Sequence, residues 1–164
     1  MKTARTTSRS VLFVCLGNIC RSPTAQSVFE AQLAQSPLLG LVQVDSAGTA
    51  AYHLGKSPDS RSQAAAKKRG YRLEHLRARQ VNRADFDQFD YIVAMDSANL
   101  VQLHALAPEN TRATLALFLE FAPQTDVSEI PDPYFGDEDG FETVLDLCEQ
   151  ASEGLLSHLQ SAST

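Results

Sequence analysis

The chain has 164 residues, of which 43% are hydrophobic and 21% are charged, and its formal net charge is −6. This length and composition predict a single globular domain with an adequate core. The negative charge argues against general binding to nucleic acid or to an anionic membrane. Three cysteines do not make the framework of a disulfide-stabilised secreted domain, so a reducing cytoplasm is the expected compartment.

A metal site is not expected from the cysteines and histidines of the sequence. Cys15 and Cys20 are spaced as two metal ligands could be, but neither a second cysteine pair nor a histidine pair accompanies them. The four histidines are scattered along the chain. The two cysteines therefore need another explanation.

The first structural element predicted is a buried strand over residues 11–16, an apolar run rich in β-branched and aromatic residues. Residues 1–10 are basic and polar. We expect them to form a flexible arm rather than a signal peptide, because the apolar run behind them is short. A helix is predicted to follow, with Ser22 as its N-cap and Pro23 in the first helical position.

The loop between this strand and this helix carries the residues that predict chemistry. Gly17 and Asn18 tolerate positive φ, so the backbone can curl with its N–H groups pointing inward. Inward N–H groups beside a helix N-terminus bind anions, and Arg21 adds a forked cation suited to two phosphate oxygens. Cys15 lies at the mouth of the loop, where the same positive field favours thiolate over thiol. A nucleophile and a phosphate cradle in one loop predict a phosphatase.

The rest of the chain alternates between predicted strands and helices. Further strands are predicted over residues 41–46, 89–95 and 114–119. Helices are predicted over residues 23–36, 57–70, 97–107 (with Asp96 as N-cap) and 141–160. The alternation predicts an α/β fold whose parallel sheet is covered on both faces. Residues 11–160 are expected to form its one domain and residues 161–164 a C-terminal tail.

Hydrolysis of a phosphate monoester through cysteine also needs an acid, which protonates the leaving oxygen and later activates water. Residues 126–139 contain six acidic side chains, most of which are expected to be solvated loop residues. Asp132 differs from the others, because a proline on either side stiffens its backbone. Tyr52 and Tyr134 are candidates for an aromatic slot around a phenyl phosphate, although each could equally pack in the core.

Four stretches resemble the low-molecular-weight protein tyrosine phosphatase family, namely Cys15–Pro23, Asp45–Ala47, Met95–Leu100 and Pro131–Gly136. The resemblance implies a three-layer, doubly wound α/β fold with a four-stranded parallel sheet of order 2-1-3-4. It implies a metal-independent and cofactor-free hydrolase that acts on phosphotyrosine in proteins through a phosphocysteine. Inorganic phosphate and other oxyanions are the expected inhibitors, and a cytoplasmic monomer that binds neither nucleic acid nor membrane is expected.

The resemblance also implies roles for individual residues. Cys15 is the expected nucleophile, Arg21 the phosphate-binding cation and Asp132 the general acid. Ser46 and His75 are expected to support the loop. The residues expected to bind substrate or phosphate are Leu16, Gly17, Asn18, Ile19, Cys20, Ser22, Tyr52 and Tyr134.

Within that set, two residues have a more specific expected role. Asn18 is expected to hold the shape of the loop, and Ser22 is expected to hydrogen-bond the thiolate. Cys20 is predicted to form a reversible disulfide with Cys15 after oxidation, which would spare Cys15 from further oxidation. Cys148 is expected to be a core residue.

Three other functions were weighed against this interpretation. An arsenate reductase on the same scaffold needs further cysteines near the site, and none lies between residue 80 and Cys148. A phosphoarginine phosphatase of the same family tends to carry Thr where this chain has Ile19. A phosphate-binding module without activity would need neither a thiolate at Cys15 nor an acid at Asp132. The sequence favours the tyrosine phosphatase.

Overall fold

A four-stranded parallel sheet of order β2-β1-β3-β4 lies at the centre of the computed structural model, which describes residues 9–162. The strands are β1 (Arg9–Cys15), β2 (Val42–Gly48), β3 (Tyr91–Ala94) and β4 (Thr114–Leu117). All three pairings are parallel. The predicted strand order is confirmed.

The helices surround the sheet in the order the sequence predicts, with two short additions. They are α1 (Arg21–Leu33), α2 (Ser60–Lys68), α3 (Asp85–Gln88), α4 (Ser97–Leu106), α5 (Glu138–Ala162) and a 3-10 helix (Phe118–Phe121). The four-residue α3 is too short to show a helical period in the sequence. The 3-10 helix takes the last residues of the fourth strand predicted from the apolar run.

The central strand β1 explains how two cores form on opposite sides of the sheet. Successive side chains of a strand point to opposite faces. Val11 and Phe13 accordingly pack with α1 and α5 in one core, whereas Leu12 and Val14 pack in a second core on the other face. Phe13 is wholly buried and meets the rings of two other phenylalanines edge to face. The sheet is therefore covered on both faces, as predicted.

Several element ends differ from the prediction. β1 begins at Arg9, so Arg9 and Ser10 are not part of a flexible arm, and residues 1–8 lie outside the described residues. The second helix begins at Ser60 rather than residue 57, because the side chain of Asp59 caps it. The last helix extends from Glu138 to Ala162, which shortens the predicted tail, and residues 163–164 lie outside the described part.

The topology places the loop after β1 at the carboxyl end of the sheet, where a crevice is expected. The chain runs from β1 to β2 on one side of β1 and later returns to β3 on the other side. A crevice opens at such a switch point, beyond the carboxyl ends of the two strands. Within residues 9–162, no helix is long and apolar enough to cross a membrane.

Candidate active site

Residues 16–20 form a tight loop between the end of β1 and the start of α1, directly at the switch point. Asn18 adopts φ 59°, and it is the one non-glycine residue with positive φ in the described chain. Gly17 does not have positive φ, so the prediction that both residues use this region is correct for Asn18 and wrong for Gly17. Gly17 is needed for another reason.

Gly17 leaves room for His53, a residue that the sequence analysis did not single out. A Cβ atom at Gly17 would lie 2.9 Å from Cδ2 of His53, which is closer than a carbon–carbon contact allows. The ring of His53 thus packs directly on the backbone of the loop. The two loops, residues 16–20 and the segment after β2, are in contact at this point.

This contact predicts that Gly17→Ala destabilises the protein and that the loss depends on His53. A side chain forced into a filled space costs about 1 kcal/mol or more, and positive φ contributes nothing to the cost here. In urea unfolding, Gly17→Ala should lower the free energy of unfolding, and the same change should cost less in a His53→Ala background. Gly136→Ala is the matched control, because its Cβ would meet nothing closer than 3.7 Å. Equal costs in both backgrounds would rule out the contact as the cause.

Asn18 is the centre of a buried hydrogen-bond network behind the loop. Its Nδ2 donates to Oγ of Ser22 at 2.8 Å and to Oγ of Ser46 at 3.1 Å. Its Oδ1 accepts from the backbone N–H of Arg79 at 2.9 Å. Ser46 in turn donates to Oε1 of Gln26 at 2.7 Å. Each polar group of the Asn18 amide has a partner, which is the arrangement that fixes a buried loop in one conformation.

Ser22 does not cap the helix as the sequence predicts. α1 begins at Arg21, two residues before the predicted start at Pro23, and its N-cap position is Cys20, whose side chain makes no capping bond. The Ser22 hydroxyl lies 3.1 Å from Sγ of Cys15 instead. Pro23 remains within the first turn, where a missing N–H breaks no helical hydrogen bond. The hydroxyl of Ser22 thus bonds the sulfur of Cys15 and the side chain of Asn18 and does not cap the helix.

Arg21 is held in place by two oxygen acceptors. Its side chain is almost wholly buried, and one terminal nitrogen donates to Oδ2 of Asp96 at 2.6 Å and to the carbonyl oxygen of Ile130 at 3.0 Å. The other terminal nitrogen lies 3.6 Å from Oδ2 of Asp132. Burial by itself lowers the pKa of Arg21, but the charge of Cys15 and the bond to Asp96 outweigh burial and raise the pKa. The guanidinium is therefore a fixed, permanent cation.

Asp96 has two functions in this structure. Its Oδ1 accepts from the backbone N–H of Asn99 at 2.8 Å, so it caps α4 as predicted. Its Oδ2 is the acceptor for Arg21. Asp96, which lies between β3 and α4, thus caps α4 and also orients the guanidinium of Arg21.

The segment carrying Asp132 is anchored beside the loop. The N–H of Ile130 donates to the carbonyl oxygen of Met95 at 2.9 Å, and Ile130 is wholly buried. The carboxylate of Asp132 is exposed, with Oδ1 accepting from the backbone N–H of Tyr134 at 3.1 Å. An acid is therefore presented to solvent from an anchored backbone, near the guanidinium of Arg21.

These parts enclose a cleft of about 230 Å³. Tyr52 and Tyr134 are both part of its wall, as predicted, and Tyr52 is 74% exposed. His53 and the exposed Phe135 are two further walls that the sequence analysis did not assign. The lining residues are Cys15, Leu16, Gly17, Ile19, Cys20, Arg21, Tyr52, His53, Asp132, Tyr134 and Phe135.

Four residues of the prediction, Asn18, Ser22, Ser46 and His75, lie outside the cleft lining. The first three are buried behind the loop and hold it by hydrogen bonds rather than facing the cleft. This position suits the shaping and supporting roles predicted for Asn18 and Ser46. The side chains of Asn18 and Ser22 do not line the cleft, so the structure gives no support to the prediction that they bind substrate directly.

His75 is not part of the support, contrary to the prediction. Its side chain is exposed, and the charges it influences are those of Glu30 and Glu74. Together with Ser46, the loop is supported by the backbone N–H of Arg79, which donates to Oδ1 of Asn18. Almost every residue type has a backbone N–H, so the sequence could not identify Arg79 as the donor.

The other two cysteines differ from Cys15 in their surroundings. Burial, together with the charges of Asp59, Cys15 and Asp132, raises the pKa of the Cys20 thiol to about 12. Cys148 is wholly buried in the core, as predicted. All three cysteines are free thiols, and the reversible disulfide between Cys15 and Cys20 stays a prediction.

Comparison with known proteins gives consistent matches over nearly the whole chain. A family model described as low molecular weight phosphotyrosine protein phosphatase matches residues 10–164. The phosphatase of that name from Rattus norvegicus is 41% identical over 151 residues, which cover 91% of this chain and 94% of the relative. A crystal structure of a protein tyrosine phosphatase from Entamoeba histolytica, with Hepes in the active site, matches with a TM-score of 0.91 at 40% identity and covers 96% of this chain and 100% of that chain.

A second solved structure bears on substrate choice. The crystal structure of DARP, a Drosophila arginine phosphatase, matches with a TM-score of 0.84 at 33% identity and covers 90% of this chain and 96% of that chain. The same fold is thus shared with a protein named as an arginine phosphatase.

Proposed function

Because the chain belongs to the low-molecular-weight phosphotyrosine protein phosphatase family, we propose that it hydrolyses phosphotyrosine in proteins through a phosphocysteine at Cys15. The observation that carries this proposal is the geometry of one loop. Sγ of Cys15 lies 3.1 Å from the Ser22 hydroxyl at one end. Arg21, fixed by Asp96, lies at the other end.

In the first step, Sγ of Cys15 attacks phosphorus in line, and the S–P bond forms as the bond to the leaving oxygen breaks. Arg21 and the N–H groups of residues 16–20 balance the charge on the equatorial phosphate oxygens. The Ser22 hydroxyl can donate to the thiolate and stabilise it before attack. Asp132 gives its proton to the leaving phenolate, so that a neutral phenol departs.

In the second step, water attacks the phosphorus of the phosphocysteine. Asp132, now a carboxylate, takes a proton from the water. The P–S bond breaks, inorganic phosphate is released and Cys15 returns as the thiolate. Atoms and charge balance over the two steps with water as the one additional reactant.

The cleft supports an aryl phosphate as the substrate. Tyr52 and Tyr134 line the same cleft as Cys15 and Arg21, and aromatic rings pair favourably with one another. Ile19 also lines the cleft, and an apolar side chain there suits a phenyl ring. Inorganic phosphate and other oxyanions would inhibit by occupying the loop. We also propose that the protein acts as a monomer in the cytoplasm and requires no cofactor.

A substrate panel tests this function. Initial rates on peptides carrying phosphotyrosine, phosphoserine or phosphoarginine should show clear preference for phosphotyrosine, in the presence of EDTA. Preference for phosphoarginine would keep the mechanism but change the substrate class. Activity on none of the three, with phosphate still bound, would leave only a phosphate-binding module and would contradict the proposed hydrolysis.

A further inference from the structure

Arg61, at the start of α2, lies near two parts of the proposed active site. These are residues 16–20 (the phosphate loop) and the segment Pro131–Gly136 (the acid loop). The residue before α2, Asp59, donates its backbone N–H to the carbonyl oxygen of Ile19 at 2.8 Å, which joins the start of this helix to the phosphate loop. Arg61 itself does not line the cleft. Any effect it has on substrate must therefore act through a neighbour.

Asp59 fixes the guanidinium of Arg61 in one plane. Oδ1 accepts from Nε at 3.0 Å, and Oδ2 accepts from a terminal nitrogen at 2.9 Å. Oδ1 also accepts from the backbone N–H of Arg61 at 2.8 Å. Such a bidentate pair restricts the orientation of an arginine more than its distance alone would. The carboxylate of Asp59 thus occupies one edge of the guanidinium, and the flat face of the group is left for other contacts.

That face lies against two aromatic rings from the acid loop and the last helix. Cζ of Arg61 is 5.4 Å from the ring centroid of Tyr134 and 4.9 Å from that of Phe141. Both distances are within the range of cation–π attraction. Tyr134 is a wall of the cleft, and its backbone N–H donates to the carboxylate of Asp132. Arg61 therefore contacts the residue that connects the aryl slot to the proposed acid.

We propose that Arg61 is a positioning residue that holds the ring of Tyr134 as a wall of the aryl slot. This inference rests on the proposed function. Without the guanidinium, the Tyr134 ring loses its packing partner on the side facing α2. Its remaining ring contacts, with Phe135 and His53, hold it less firmly as a wall of the cleft. Binding of the aromatic part of a substrate should weaken, whereas binding of the phosphate group should not, since the phosphate group contacts the loop and Arg21.

The test compares two ligands that share the anion site but differ in the aromatic ring. Inorganic phosphate and benzylphosphonate are titrated into 15N-labelled wild type and Arg61→Ala, and their dissociation constants are read from amide shifts. Arg61→Ala should raise the constant for benzylphosphonate by about two- to fivefold, as expected for loss of one exposed cation–π contact. The constant for inorganic phosphate should not change. A general distortion of the loop would instead weaken both ligands.

A double-mutant cycle and a matched control sharpen the result. In a Tyr134→Ala background, Arg61→Ala should have no further effect on benzylphosphonate. Arg72→Ala is the control, since Arg72 also pairs with an acid two residues away, Glu74, but its side chain is 80% exposed and does not line the cleft. It should leave both constants unchanged.

The outcomes separate this inference from the function on which it rests. If wild type binds neither anion, the proposed phosphatase site is wrong. If both anions bind and Arg61→Ala changes neither constant or both equally, the site stands and the role of Arg61 is wrong. An equal loss in the Tyr134→Ala background would also overturn it, because the effect would not pass through that ring.

Discussion

Replacing Cys15 by serine should abolish turnover while phosphate binding is retained. The side chains differ by one atom, and the serine hydroxyl can keep a hydrogen bond to Ser22, which lies 3.1 Å from the sulfur. A neutral hydroxyl is a much weaker nucleophile than a thiolate, and the described site places no general base against the sulfur. Loss of a nucleophile reduces kcat by a factor on the order of 10⁴ or more. The measurement is the rate of para-nitrophenyl phosphate hydrolysis beside a phosphate titration.

Cys148→Ala is the control for the loss of a thiol. Cys148 is wholly buried on α5 and lies outside the cleft, so its removal should leave kcat unchanged at temperatures where the variant is folded. Full activity of Cys15→Ser would show that another group attacks phosphorus. Loss of phosphate binding in Cys15→Ser would show that the substitution had disturbed the loop rather than the chemistry.

Replacing Asp132 by alanine should reduce kcat on phenolic substrates of high leaving-group pKa by about 10²- to 10⁴-fold. The carboxylate is exposed and held near the cleft by its anchored backbone, so its removal creates no cavity. The buried Arg21, which lies 3.6 Å from it, keeps its bonds to Asp96 and to the carbonyl oxygen of Ile130. A strongly activated phenol leaves without a proton. The loss in kcat/KM, which reports the first chemical step, should therefore shrink as the leaving group improves.

A second acid of the same segment separates the role of Asp132 from a general effect of lost charge. Asp137→Ala is the matched control, because Asp137 is an exposed acid on the same segment outside the cleft. An equal loss for good and poor leaving groups would contradict the role of Asp132.

The fold was predictable where the sequence pattern is local. The apolar run of β1, the loop after it and the alternation of elements follow from periodicity and turn chemistry. The start of α1 could not be predicted in this way, because the capping rule assigns Ser22 to the N-cap position of the helix. In the structure, the hydroxyl of Ser22 bonds Cys15 and Asn18 instead. A local preference was overridden by the needs of the site.

The parts of the site that were missed depend on contacts between distant segments. Arg79 reaches Asn18 through its backbone across 61 residues, and Gln26 enters the network through Ser46 across 20 residues. His53 is recognisable only from its contact with Gly17. Residue type and spacing carry no signal for such contacts, whereas the motif residues Cys15–Pro23 lie close together in the chain.

The most direct measurement is the mass of the enzyme quenched in acid during turnover. Asp132→Ala should accumulate the covalent intermediate with an activated aryl phosphate, because the first step needs no proton and the second has lost its base. The proposed mechanism predicts a single added phosphoryl group, located on the peptide that contains Cys15. Continued turnover without any covalent adduct, or an adduct on another residue such as His53, would contradict it.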